Sequence, residues 1–288
     1  ENTTEEKICR RIGIITGRIT GSPFQAFLNI YLESALSRRG CRAVWFHQRE
    51  CAVEKLYNSV DDIINLRYSV EANEIDGVIS LIYCDAELEA YLKQSGLSLV
   101  YVSNYMPLAN HICLDYSRIM EQSVSLLHKR GFRQIELLMT APLDWMERLF
   151  AAALAKCGIS KTSSSVHCRP FGQTGTRAYQ QWLEGIFLTW YNLPSSQRPD
   201  ALLVPDDMVA LYLHFFLLKH SDWQPAIIPM VNINTCLPAP EYPLGYWQFD
   251  VSAYADFIVE KLIEMQKRNE LTLPFTLFTP TFFPPDGN

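Results

Sequence analysis

From Arg11 onward the chain alternates short apolar runs with longer segments in which apolar residues recur every three or four positions. The short runs lack an interleaved polar face, as strands covered on both sides do, whereas the longer ones have the period of helices. Strands are predicted at Arg11–Thr16, Arg42–Phe46, Gly77–Leu81, Ser98–Val102 and His111–Leu114. Helices are predicted between them at Phe24–Arg39, Ser59–Asn73 and Asp85–Gln94, with Gly40 and Gly96 placed as C-caps. This is the βαβ rhythm of a doubly wound parallel sheet.

The rhythm then restarts. Helices are predicted at Ile119–Lys129, Trp145–Cys157, Thr176–Tyr191, Met208–Lys219 and Ala253–Arg268. Strands are predicted at Gln134–Met139, Ala201–Val204, Ala226–Asn232 and Tyr246–Phe249, followed by an extended tail at Phe275–Phe282. Two successive halves of similar order, with no low-complexity stretch between them, predict an α/β protein of two Rossmann-like parallel-sheet subdomains. Ligands on such sheets bind beyond the carboxyl ends of the strands.

Length agrees with two subdomains, because 288 residues at 48% apolar exceed the usual size of one domain. Charge narrows the partners: 25 Lys and Arg stand against 31 Asp and Glu, a net −6, with no basic run to grip phosphates. The longest apolar stretches, such as Leu211–Leu218, fall far short of the roughly 20 residues that span a bilayer. The eight cysteines form no CxxC pair, which favours thiols in a reducing compartment, although an even number leaves disulfides open. The six histidines are scattered, with no HExxH or metal-ligand spacing, and no GxSxG is present. Asp61–Asp62 and Asp206–Asp207 are adjacent pairs whose side chains point apart, so they make poor acid–base dyads. A binding protein without cofactor or metal is therefore expected in place of an enzyme.

Several stretches resemble the LacI/GalR family of transcription regulators in order and spacing. Ile12-Gly13-Ile14-Ile15 followed by Ser22-Pro23-Phe24 resembles the first strand and the Asn-Pro-Phe loop of the family cores. Ile75-Asp76-Gly77-Val78-Ile79 matches a "VDGII" strand, and Leu127-His128-Lys129-Arg130-Gly131-Phe132-Arg133-Gln134-Ile135 resembles an "LGHRRIA" turn. Arg198-Pro199-Asp200-Ala201 with Asp206-Asp207-Met208-Val209-Ala210 resembles "RPTAVFAANDxMA", and Leu273-Pro274 onward resembles the closing strand. The resemblance implies a periplasmic-binding-protein-like (type I) core whose chain crosses between lobes near Leu114–Tyr116, Tyr246–Phe249 and Leu273–Phe275. It divides the chain into 11–114 with 247–273 and 115–246 with 274–288, after a 1–10 linker from an N-terminal headpiece not included. It further implies a cytoplasmic homodimer that binds a carbohydrate-like effector in the inter-lobe cleft and touches operator DNA only through that headpiece. The dimer is expected to use the Met208–Lys219 helix, which is apolar around nearly its whole circumference, with the helix near Phe27–Ser37. Leu213 and Phe216 are its expected outward residues. The alternative with the same architecture is a periplasmic or extracellular sugar receptor, disfavoured by the Gly131-Phe132-Arg133 turn.

Family pocket positions carry over one by one. Ser22, Phe24 and Gln25 match the loop after the first strand, with Phe24 as an aromatic wall or else a core residue. Ser103 stands where many members have Asp, and Met146 where they have a ligand-gripping Arg. Arg148 is no simple substitute, because two helical residues turn it about 200° away. Asn234 replaces an Asp that accepts sugar hydroxyls, keeping hydrogen bonding without the charge. Asp206 is a pocket acceptor or the N-cap of the Met208 helix, and Gln248 is the polar side chain of the second crossing. Trp145, Phe171, Trp182 and Trp247 are expected mainly in the core.

Overall fold

Runs such as Ser98–Val102 and Ala201–Val204 are buried at every position, which is what strands sandwiched between helices require. The computed structural model describes residues 10–17, 23–52, 57–102, 110–139, 144–160, 166–168, 176–205, 207–232 and 243–284. The elements in chain order begin β1 (Arg11–Thr16), α1 (Pro23–Arg38), β2 (Arg42–His47), β3 (Tyr57–Asn58), α2 (Leu66–Glu71), β4 (Gly77–Ser80), β5 (Tyr83–Cys84), α3 (Ala86–Gln94), β6 (Ser98–Val102) and β7 (His111–Leu114). They continue with α4 (Tyr116–Lys129), β8 (Ile135–Met139), α5 (Asp144–Lys156), β9 (Val166–Cys168), α6 (Thr176–Tyr191), β10 (Ala201–Val204), α7 (Asp207–Lys219) and β11 (Ala226–Asn232). Last come β12 (Tyr246–Phe249), α8 (Val251–Lys267), β13 (Thr276–Phe278) and β14 (Thr281–Phe283).

Two compact units result, Glu1–Leu114 with Asp250–Phe278 and Asp115–Phe249 with Thr279–Asn288. The first is built on a sheet of order β13-β7-β6-β4-β1-β2, all parallel. The second has order β14-β12-β11-β10-β8-β9, parallel except for β14. The chain is thus α/β, with two parallel-sheet subdomains and three crossings.

The crossings differ in detail from those implied by the sequence. Residues 247–249 stay with the second unit, because β12 pairs with β11 and β14. Residues 274–278 stay with the first, because β13 pairs with β7. Asp115 and Asp250 follow the first two crossings and cap the next helices. Asp115 Oδ1 accepts from the Arg118 N–H at 3.1 Å, and Asp250 Oδ1 from those of Ser252 and Ala253 at 2.8 and 3.1 Å. At the third crossing the Thr279 hydroxyl donates to Asp115 Oδ2 at 3.4 Å.

The predicted helix Ser59–Asn73 is broken. Asp62 Oδ2 accepts from both the backbone N–H and the hydroxyl of Ser59 at 2.9 Å, closing a 3-10 turn at Val60–Asp62. Asn65 then adopts a left-handed φ of 60°, so the α-helix starts only at Leu66. The expected extended tail is two strands in different sheets, separated by Thr279 and Pro280. Gly245 lets β14 lie close: at φ +91°, a Cβ there would sit 2.3 Å from the Phe283 carbonyl.

Candidate ligand-binding site

In the first unit, the strands end at Thr16, Ser80, Val102 and Leu114. Thr16 is fully buried, and its hydroxyl donates to the Gly17 carbonyl at 3.3 Å. Gln25, the third residue of α1, reaches back so that Nε2 donates to Thr16 Oγ1 at 3.0 Å. Gln25 is half-buried there. Phe24 lies in the first turn of α1, whereas Ser22 and Ser103 lie outside the described residues.

Pairing registers place Ile15, Ser80, Tyr101 and His111 in one row across this sheet. The Ser80 hydroxyl donates to the Ile82 carbonyl at 2.6 Å and lies 3.7 Å from Cys84 Sγ. Tyr101 stacks on His111 with ring centres 4.7 Å apart, and Tyr83 leans on the same imidazole at 5.8 Å. Sequence reasoning passed over this polar row, because its residues sit singly inside apolar runs. Only the register brings them together. Burial pushes the Cys84 thiol up to about 11 and the Cys113 thiol up to about 12. Both are held as thiols at neutral pH, so neither serves as a nucleophile.

In the second unit, the strands end at Met139, Val204, Asn232 and Phe249. Met146, on α5, is 3% exposed beside the fully buried Phe150, while Arg148 faces outward. The two-residue rotation expected of a helix therefore separates them. Gln248 is half-buried in β12, opposite Val231 and Thr281. Its neighbour Trp247 is buried and donates its indole N–H to Ser123 Oγ at 2.8 Å. Trp247 is therefore a core residue, as expected, and Trp182 packs against the core of this unit. Asp206, Asn234 and Phe171 lie outside the described residues. Among the described residues no group of three or more His, Cys, Asp or Glu is placed to hold a metal.

No protein-family model and no curated protein sequence matches the chain. Solved structures do. A regulatory protein of the LacI family from Chloroflexus aggregans superposes with a TM-score of 0.71 at 14% identity, over 96% of this chain and 98% of that one. The fold is that of LacI-family regulators. The lac repressor dimer bound to operator and the anti-inducer ONPF shares this LacI-type fold at a TM-score of 0.67 and 15% identity, over 97% of this chain and 94% of its own. So does the transcriptional regulator CelR in its cellobiose complex, at 0.69 and 15%, over 97% and 85%. The LacI-type likeness thus extends over nearly the whole chain.

Proposed function

We propose that this chain is the ligand-sensing and dimerisation core of a transcription regulator. In this reading it binds a carbohydrate-like small molecule and controls DNA binding by an N-terminal headpiece that is not among these 288 residues. The observation that carries the reading is the match of both units together, over 96% of the chain, to regulators of that design. Two of the similar structures carry relevant partners, an operator with an anti-inducer in one and cellobiose in the other.

Gln25 and Gln248 are the described ligand contacts of this reading, both neutral and both able to donate and accept. Ser22, Phe24, Ser103, Met146, Asp206 and Asn234 complete it. Such a set recognises hydroxyl groups without a fixed charge. The reading needs no cofactor, and it makes the protein a cytoplasmic binding module and not an enzyme. No described helix is long and apolar enough to cross a membrane.

Dimerisation is supported by apolar side chains left in solvent. On α7, Phe215 is 53% and Leu218 66% exposed, and on α1 Ile30 is 61% exposed. The expected outward residue Leu213 is instead fully buried, and Phe216 is packed against the core. A second copy of the chain would cover Phe215 and Leu218.

A thermal-shift screen of sugars, sugar acids and nucleobases tests the function. A neutral sugar should raise the melting temperature, and Gln248→Ala or Asn234→Ala should weaken it by about 1–3 kcal/mol through unpaired ligand groups. No shift across the panel, or nanomolar sequence-dependent DNA binding by this chain alone, would overturn the proposal.

A further inference from the structure

Gln25 carries one donor group and one acceptor group on the same carboxamide, and their arrangement decides what it offers a ligand. Thr16 settles that arrangement. Its hydroxyl hydrogen is directed to the Gly17 carbonyl at 3.3 Å, so its oxygen faces Gln25 as an acceptor. The Gln25 group that meets it at 3.0 Å must therefore be the Nε2 donor. The carbonyl oxygen Oε1 is left without a partner among the described residues.

This happens at the carboxyl end of β1, where sheets of this kind take their ligands. A helix amino terminus there would ordinarily welcome an anion through its free N–H groups. Pro23, the first residue of α1, removes one of those donors, and the fixed Gln25 carbonyl adds an acceptor that repels a carboxylate or phosphate.

We infer that Thr16 is a positioning residue that holds Gln25 so that this corner takes a hydrogen-bond donor, a sugar hydroxyl or an ammonium group, and rejects an anion. The inference rests on the ligand-binding reading above and names the chemical class of its ligand.

Calorimetry with glucose, glucosamine, glucuronate and glucose 6-phosphate tests it on one skeleton. The neutral and amino forms should bind at least about ten-fold tighter than the two anions, the scale of one misplaced polar group. Thr16→Val keeps the shape but loses the hydroxyl, freeing the carboxamide to turn, and should bring that ratio close to one. Thr16→Ser should restore it. An anion that binds the parent as tightly as glucose, or a ratio unmoved in Thr16→Val, overturns the inference while leaving the sugar-binding reading standing. Binding by none of the four removes that reading and the inference with it. The carboxamide can also be followed without ligand, by nuclear magnetic resonance with 15N in the glutamine side chains. The Gln25 signal, assigned by its loss in Gln25→Glu, should exchange slowly with solvent in the parent and in Thr16→Ser, and faster in Thr16→Val. Equal exchange in all three overturns the proposed bond.

Discussion

The two units share one strand order but not one kind of interior. In the first, Ile15, Val60, Ile63, Leu66, Val78, Leu88, Leu92 and Leu99 make an aliphatic core with few rings. In the second, Phe187, Trp190 and Trp223 occupy the centre, with Trp182, Tyr191 and Phe216 packed against them. The helix joints differ too. In the first unit, Asp256 of α8 holds Arg38 and Arg39 at the end of α1, at 2.8 and 2.5 Å. In the second, rings do this work: Arg198 lies over Tyr191 at 4.8 Å, and His220 sits 4.3 Å from both Tyr191 and Phe216. The lesson is that burial pattern and element order specify this fold, while residue identity sets how it is held.

The comparison is tested most severely at Trp190, which is 4% exposed and meets His167, Phe187 and Trp223. Trp190→Ala should cost about 3–5 kcal/mol in urea unfolding, whereas Ile79→Val in the aliphatic core should cost about 0.5–1.5. Similar losses at both sites would erase the distinction. The next largest effect is on assembly. Phe215→Glu with Leu218→Glu should convert a dimer to monomer at tens of micromolar by light scattering, with little change in melting temperature, because both side chains already face solvent. Leu213→Glu should unfold the second unit instead, since it buries a charge in the core.

Much of this was legible from periodicity. Arg11–Thr16, Ser98–Val102, His111–Leu114, Thr176–Tyr191, Ala201–Val204, Ala226–Asn232 and Tyr246–Phe249 have the predicted limits. Their signal is local: an apolar run or a helical stripe, ended by a turn. The short strands β3, β5 and β9 escaped, because two or three residues carry no readable period. The outward face of α7 escaped for the opposite reason. A helix apolar all round hides which side meets the core, and only packing separates Leu213 from Phe215. Of the site, the sequence pointed to Gln25 and Gln248. The Thr16 bond and the Ser80–Tyr101–His111 row needed the sheet register, which no single segment encodes.

Two smaller effects sharpen the contrast between the joints. Asp250→Ala removes the acceptor of two N–H groups at the start of α8 and should cost about 1 kcal/mol by thermal unfolding. Asp256→Asn should cost less, about 0.2–1 kcal/mol, because the pair is partly exposed. Burial pushes the Asp256 carboxyl up, but Arg39 and Arg38 outweigh it and hold it below its ordinary value. Its contribution is therefore present above the unfolded value of about 3.9 and lost as pH falls through the lower folded one. Comparing parent and Asp256→Asn from pH 6 to 2 should show the gap closing at the acid end. A gap that widens on acidification would contradict the assignment.

The way the chain enters its first strand also has a mechanical meaning. Arg10 Nη1 donates to Gln266 Oε1 at 3.0 Å, and the Nε2 of the same side chain donates to the Asp76 carbonyl at 2.7 Å. β1 itself lies between β2 and β4. A pull on any segment upstream of Arg10 is thus shared at once between two neighbouring strands and the last turn of α8. Loaded along its axis, β1 resists in shear, many hydrogen bonds together, instead of peeling away one bond at a time. The entry point is a stiff anchorage, through which a torque generated in one place reaches the other undiminished by slack.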